Sequence, residues 1–235
     1  IMNKFLEEIQ EQPEALKQTF CYYRSEEGKK SLKTVCALWK SGEYDRIVFT
    51  GMGSSYFISQ AAATMISSAS IPASAINAGE LLHFQFPSLT ERTLLSYEVI
   101  ELLKKQRRLP ITVIGITNES GSSLAVMATH CLLCKAGKEE MTSTKTFITT
   151  YLAVYLLAES LKRHEVNEEA LDGIIREVER QLAERDTYLS RSLTFLKGHS
   201  FVQVIGRGTV FAAVAQTALM FMEATKIPAS ALLGG

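Results

Sequence analysis

The chain has no surplus of charge: 25 lysines and arginines are balanced by 25 aspartates and glutamates over 235 residues. A surface built for nucleic acid leaves a basic excess, so nucleic acid is not an expected partner. Long apolar runs are also missing. The richest, Phe147 to Ala158, is broken by Thr149 and Thr150 and is too short to cross a bilayer, so no membrane partner is expected. The first residues, NKFLEEIQEQPEAL, are acidic and amphipathic and contain no signal-peptide core, which makes a cytoplasmic location the expectation. Cysteine is scarce and scattered (Cys21, Cys36, Cys131, Cys134), which excludes a secreted disulfide framework. Cys131 and Cys134 form a CxxC, but only His130 is close by, and a zinc site needs two further ligands. The pair lies in a strand-like stretch instead of opening a helix, so both cysteines read as small core residues. No His/Asp/Glu cluster has ligand spacing, and neither a metal nor a cofactor is expected.

Core material is plentiful, at 46% hydrophobic and 21% charged residues. Its arrangement predicts an α/β fold: a doubly wound parallel sheet with helices on both faces. Residues 3–39 repeat apolar positions at helical spacing (Phe5, Leu6, Ile9, then Leu32, Val35, Cys36, Trp39). A strand follows at 46–51, then the glycine turn GMGSS and an Ala/Ser-rich helix over 55–68. Further strands are expected at 71–78, from 93, at 110–118 and at 130–137, with a long buried helix over 143–164 and one or two solvent-flanked helices over 168–196. The third strand is odd. TLL (93–95) abuts SYEVIELLKK, an amphipathic pattern with no loop before it, where a crossover normally needs about five strand residues and a connection. The expectation is a missing segment between Leu95 and Ser96, with Ser96 capping a helix that starts at Tyr97.

The sequence then repeats itself. RIVFTGMGSSYFISQAA returns as SFVQVIGRGTVFAAVAQTA, so that Gly51 matches Gly206 at an offset of 155, and IPASA at 71 recurs at 227, an offset of 156. A repeat that holds register to one residue is a duplicated lobe. The expected organisation is an N-terminal helical segment (1–40), a first lobe (41–165), connecting helices (166–198) and the start of a second, truncated lobe (199–235).

A strand that ends in a glycine turn and opens a helix aims backbone N–H groups and the positive helix end at one point, where phosphate binds well. Ser54 and Ser55 add two hydroxyl donors. The turn is not GxGxxG, because Tyr56 takes the third glycine position, and no acidic residue ends the next strand to hold a ribose. A second hydroxyl cluster, Ser143-Thr144-Lys145, opens the long helix, where Ser143 is equally a natural N-cap.

Taken together, Gly51-Met-Gly-Ser-Ser-Tyr, Asn118-Glu-Ser-Gly-Ser-Ser-Leu, Ala136-Gly-Lys-Glu-Glu, Ser143-Thr-Lys-Thr-Phe and Ile205-Gly-Arg-Gly resemble the sugar isomerase (SIS) family. They are most similar to the isomerase half of glucosamine-6-phosphate synthases and to fructosamine-6-phosphate deglycases. The resemblance implies two lobes per chain, a homodimer or higher homo-oligomer, and a sugar phosphate as the small-molecule partner. It implies that Gly53, Ser54, Ser55, Ser96, Ser143, Thr144 and Lys145 contact the phosphate or the sugar. Of the family's serine-rich SxSGE[ST] loop only its last member, Ser96, is present here.

The resemblance also implies proton transfer between adjacent carbons of an open-chain phosphosugar, with Glu223 in the place of the catalytic glutamate and a histidine expected beyond Gly235. The apolar neighbours Leu219, Met220, Phe221 and Met222 would raise its carboxyl pKa if that face were buried. Two positions depart from the synthase pattern. Met220 stands where the synthase has a lysine and Gln216 where it has a glutamate, and no cysteine nucleophile follows Met2. The expectation is therefore a deglycase acting on fructosamine 6-phosphates. An aldose–ketose phosphosugar isomerase is the alternative enzyme, and a non-catalytic sugar-phosphate sensor the alternative class. His83, His130, His164 and His199 read as structural or exposed, with His83 the one worth testing for a sugar or subunit contact.

Overall fold

A computed structural model describes residues 3–97 and 111–234. Three short helices open the chain, α1 (Lys4–Gln10), α2 (Gln12–Arg24) and α3 (Glu26–Lys40). Local chemistry separates them. Pro13 occupies the first turn of α2, and Ser25 starts α3 by accepting the Gly28 N–H at 3.2 Å.

Five strands form one parallel sheet: β1 (Arg46–Gly51), β2 (Ala73–Asn77), β3 (Thr93–Tyr97), β4 (Thr112–Thr117) and β5 (His130–Leu133), in the order β2-β1-β3-β4-β5. Alternate residues feed two cores. Ile47, Phe49, Leu94, Ile114 and Ile116 pack toward α2, α3, α4 (Ser54–Ser67) and α7 (Lys145–Lys162). Val48, Leu95 and Val113 pack on the other face with Leu81, Leu89 and Leu124. Burial on both faces is why these strands read as nearly continuous apolar runs. Between the strands lie α5 (Ala78–Glu80), which continues into a π-helical turn over Leu81–Gln85, and α6 (Ser123–Met127).

The third strand corrects the sequence reading. Ser96 does not cap a helix: it lies inside β3, opposite Phe49 of β1 and Ile114 of β4, and is only 5% exposed. The strand therefore has five residues, not three, and it runs unbroken through Leu95 and Ser96. Pairing on both sides outweighs the helical pattern that begins at the same place. The remainder of that expected helix falls outside the described residues.

After α7 come two helices, α8 (Glu168–Ala183) and α9 (Arg185–Leu196), and then β6 (Val202–Gly206), α10 (Phe211–Met220) and β7 (Ala229–Leu233). The repeat is visible in the backbone. Ile47 pairs with Ala73 in the first unit and Val202 with Ala229 in the second, both parallel and at the same offsets as the sequence repeat. Among the described residues no helix is long and apolar enough to cross a membrane.

Candidate active site

From β1 the chain moves outward to β2, then returns to the other side of β1 to lay down β3. The direction of winding reverses between β1 and β3, and in parallel α/β sheets that reversal opens a crevice at the strands' carboxyl ends. The glycine turn sits there. The Ser55 N–H donates to the Met52 carbonyl at 3.1 Å, and Gly53 adopts φ 53° and ψ −127°. This is a type II′ turn with glycine at the position that needs it, and Ser54 is the first residue of α4.

Ser55 and Ser96 are brought together. With Thr50, Ser59 and Thr150 they line a small cavity of about 20 Å³, room for about one water. Among the described residues the buried Thr50 hydroxyl has no hydrogen-bond partner. Thr150 also borders a second cavity of about 300 Å³, open at the ends of β4 and lined by Thr117, Asn118, Glu119, Ser122, Glu139 and Thr146. That volume is at the lower end for a small-molecule site. Asn118 shapes its rim by accepting the Ala136 N–H and donating to the Gly137 carbonyl, both at 2.6 Å.

The N-terminus of α7 departs from the sequence reading. Its cap position is Thr144, not Ser143, and the capping group is the carboxylate of Glu139. One oxygen of Glu139 accepts the N–H groups of Thr144 (2.9 Å), Lys145 (2.8 Å) and Thr146 (3.3 Å) and the Thr144 hydroxyl (2.8 Å); the other accepts from the Thr146 hydroxyl. The negative charge that a helix N-terminus favours is thus supplied by the chain itself. Lys145 is buried and ion-paired to Glu11, while Ser143 exchanges a hydrogen bond with the Thr146 hydroxyl at 2.8 Å. None of Ser143, Thr144 and Lys145 lines either cavity.

Glu223 lies in the π-helical turn that follows α10, and it is exposed, so its apolar neighbours do not enclose it. Its Oε2 accepts the Thr142 hydroxyl at 2.5 Å. Gln216 and Met220 lie on the same stripe of α10. The Gln216 amide donates to the Ser143 carbonyl at 2.9 Å, and the Met220 sulfur lies 3.7 Å from Thr142 Oγ1. The two positions that depart from the synthase pattern therefore face the residues that open α7. His83, His164 and His199 are exposed and His130 is half-buried. Burial pushes the Cys131 thiol up, and Cys134 packs with its sulfur 3.3 Å from Thr150 Oγ1, which suits a core role for the CxxC.

The sequence profile of the SIS domain matches residues 43–160, half of the chain. The chain belongs to the SIS domain family. Curated relatives include the glutamine–fructose-6-phosphate aminotransferases (isomerizing) of Streptococcus pyogenes serotype M6 and Streptococcus mutans serotype c. Both are 24% identical over 98% of this chain, which spans 41% of their length. Among solved structures, the C-terminal domain of glucosamine-fructose-6-phosphate aminotransferase from Francisella tularensis superposes with a TM-score of 0.76 at 22% identity, over 99% of this chain and 70% of that one. A phosphosugar isomerase-like structure from Silicibacter pomeroyi gives 0.78 at 18% identity, over 99% and 72%. Glucosamine-6-phosphate deaminase from Thermotoga maritima gives 0.69 at 21%, over 98% and 70%. At these identities the likeness to solved structures establishes the SIS fold.

Proposed function

We propose that the protein acts on open-chain hexose phosphates or their amine adducts by moving a proton between adjacent carbons. The observation that carries this reading is the meeting of Glu223, from the second glycine-turn unit, with Thr142, in the segment that opens α7. Thr142 directly follows Met141, which lines the cavity of about 300 Å³ together with Thr117, Ser122 and Thr146, and neutral hydroxyls with backbone N–H groups suit a phosphate ester. Relatives and structural neighbours named for aminotransfer, isomerisation and deamination of sugar phosphates support the substrate class.

Within that class we favour a fructosamine-6-phosphate deglycase. Glu223 removes a proton from C-1 of the ketosamine, and the electron pair forms the C-1=C-2 bond of the enaminol while O-2 takes up a proton. A proton returned to C-2 converts the enaminol to the C-1 imine, and water adds to release the amine and the aldose 6-phosphate. With an oxygen at C-1 in place of nitrogen, the same proton shuttle interconverts ketose and aldose. The two reactions differ in whether an amine leaves.

The deciding experiment offers fructoselysine 6-phosphate to the full-length protein and follows lysine and glucose 6-phosphate together. Equimolar release of both supports the deglycase. Turnover of fructose 6-phosphate alone moves the assignment to an isomerase. Sugar phosphate bound with no turnover of either sinks the enzyme reading in favour of a sensor.

A further inference from the structure

Glu8 is fully buried, at 0% exposure, on a helix of only seven residues. Among the described residues its carboxylate makes no ion pair. A bare buried carboxylate is costly, and this one is answered by backbone. Oε1 accepts the Glu140 N–H at 2.6 Å and Oε2 the Met141 N–H at 3.2 Å, across more than 130 residues of sequence. Three positions along, Glu11 ends α1 and pairs with Lys145, whose side chain is 4% exposed against 49% for Glu11. Glu139 holds the other side of the same stretch through the N–H groups of residues 144–146. Between these anchors lie Thr142 and Ser143, which touch Glu223 and Gln216.

We propose that Glu8, assisted by Glu11, is a positioning residue: it fixes the backbone of residues 140–145 so that Thr142 orients the Glu223 carboxylate. The inference rests on the proton-transfer reading above for its effect on turnover, but the clamp itself is testable without any substrate. Two carboxylates from one helix junction grip the segment at both ends, and the hydroxyl that Glu223 meets lies between the two grips. Removing the Glu8 charge leaves the Glu140 and Met141 amides with one good acceptor in place of two. That frees the segment without removing anything that touches Glu223.

The test uses the full chain, with Glu8→Gln and Glu11→Gln each checked for an intact fold by circular dichroism and thermal melting. Leu16→Val, in the core of α2, serves as a control that lowers stability without touching the segment. Amide hydrogen exchange at Glu140 and Met141 is the first readout. In Glu8→Gln it is expected to speed up by about tenfold or more, and in the control to stay within the change set by global stability. Turnover is the second readout. Misplacement of a reacting group by about 1 Å costs on the order of 100-fold, so kcat falls by that order while KM stays within about threefold; Glu8→Asp restores part of the loss. Unchanged exchange at both amides overturns the clamp. Faster exchange with unchanged kcat overturns the positioning role. If the wild-type chain turns over no sugar phosphate, the functional reading falls by itself, and the exchange data still decide whether Glu8 holds the segment.

Discussion

The Thr142 hydroxyl donates to Glu223 Oε2 at 2.5 Å, and this bond joins the segment that opens α7 to the turn that closes α10. Thr142 lies between β5 and α7, and Glu223 between β6 and β7.

Because Glu223 is exposed, its replacement separates chemistry from folding. Glu223→Gln is expected to shift stability by no more than about 0.5 kcal/mol and to lower proton transfer by about 100- to 10,000-fold. Solvent-deuterium incorporation into the sugar phosphate, measured beside a melting curve, checks both halves. A large fall in the melting temperature would mean that the Thr142 contact is structural.

The two glycines of the first turn fail for different reasons. A Cβ on Gly51 would lie 2.7 Å from Ser55 Cβ and 2.8 Å from its carbonyl carbon, so any side chain displaces the start of α4. A Cβ on Gly53 meets open space, and its difficulty is a φ of +53°. Gly53→Asn should therefore cost less than Gly53→Val, since the first central position of a II′ turn accepts asparagine better than a β-branched residue. Gly51→Asn should be worse than Gly51→Ala. Denaturation midpoints of the four variants test the contrast, and a reversed order at either site refutes its explanation.

Tyr23 predicts an alkaline weakness. Burial, and more weakly the neighbouring Cys134, push its hydroxyl well above the ordinary tyrosine value of 10.0, and that hydroxyl has no hydrogen-bond partner among the described residues. An acid whose folded pKa is raised holds its stabilising contribution below the unfolded pKa and loses it as pH climbs toward the folded value. Stability is therefore expected to fall from about pH 10 upward. Tyr23→Phe should flatten that limb, and at pH 7 it should be neutral or stabilising by about 1 kcal/mol, because an unsatisfied buried group is removed. Urea titrations at pH 7 and pH 10.5 check the sign.

Glu139→Ala strips three backbone N–H groups at the start of α7 of their acceptor. A cost of about 1–2 kcal/mol is expected, as for the loss of a strong helix cap. Glu139→Gln, which keeps one acceptor oxygen, should recover about half. Equal losses for both would show that charge, and not hydrogen bonding, holds this helix end.

The sheet was largely readable because its strands are buried on both faces, and runs such as Ile47-Val48-Phe49 announce that directly. Ser96 was not readable. Strand and helix patterns meet there without a loop, and only the neighbours Phe49 and Ile114 decide between them. Glu8 and Glu139 were invisible for a related reason. An acidic residue in a short amphipathic helix, or in a Lys-Glu-Glu run, reads as solvated until a distant segment brings backbone donors to it. Glu223 was located by its motif, but its apolar neighbours said nothing about burial, since a single helical turn points side chains in several directions.

The two glycine turns share a backbone and differ in chemistry. Gly53 and Gly208 both have positive φ, at 53° and 63°, yet the Ser54-Ser55 pair of the first turn corresponds to Thr209-Val210 in the second. In the second turn the Thr209 carbonyl accepts the Tyr151 hydroxyl of α7 at 3.2 Å, and the exposed Val210 borders the apolar groove beside that helix. One inherited geometry thus carries two chemistries: paired hydroxyls in the first copy, and in the second a backbone acceptor for Tyr151 and an apolar side chain beside α7.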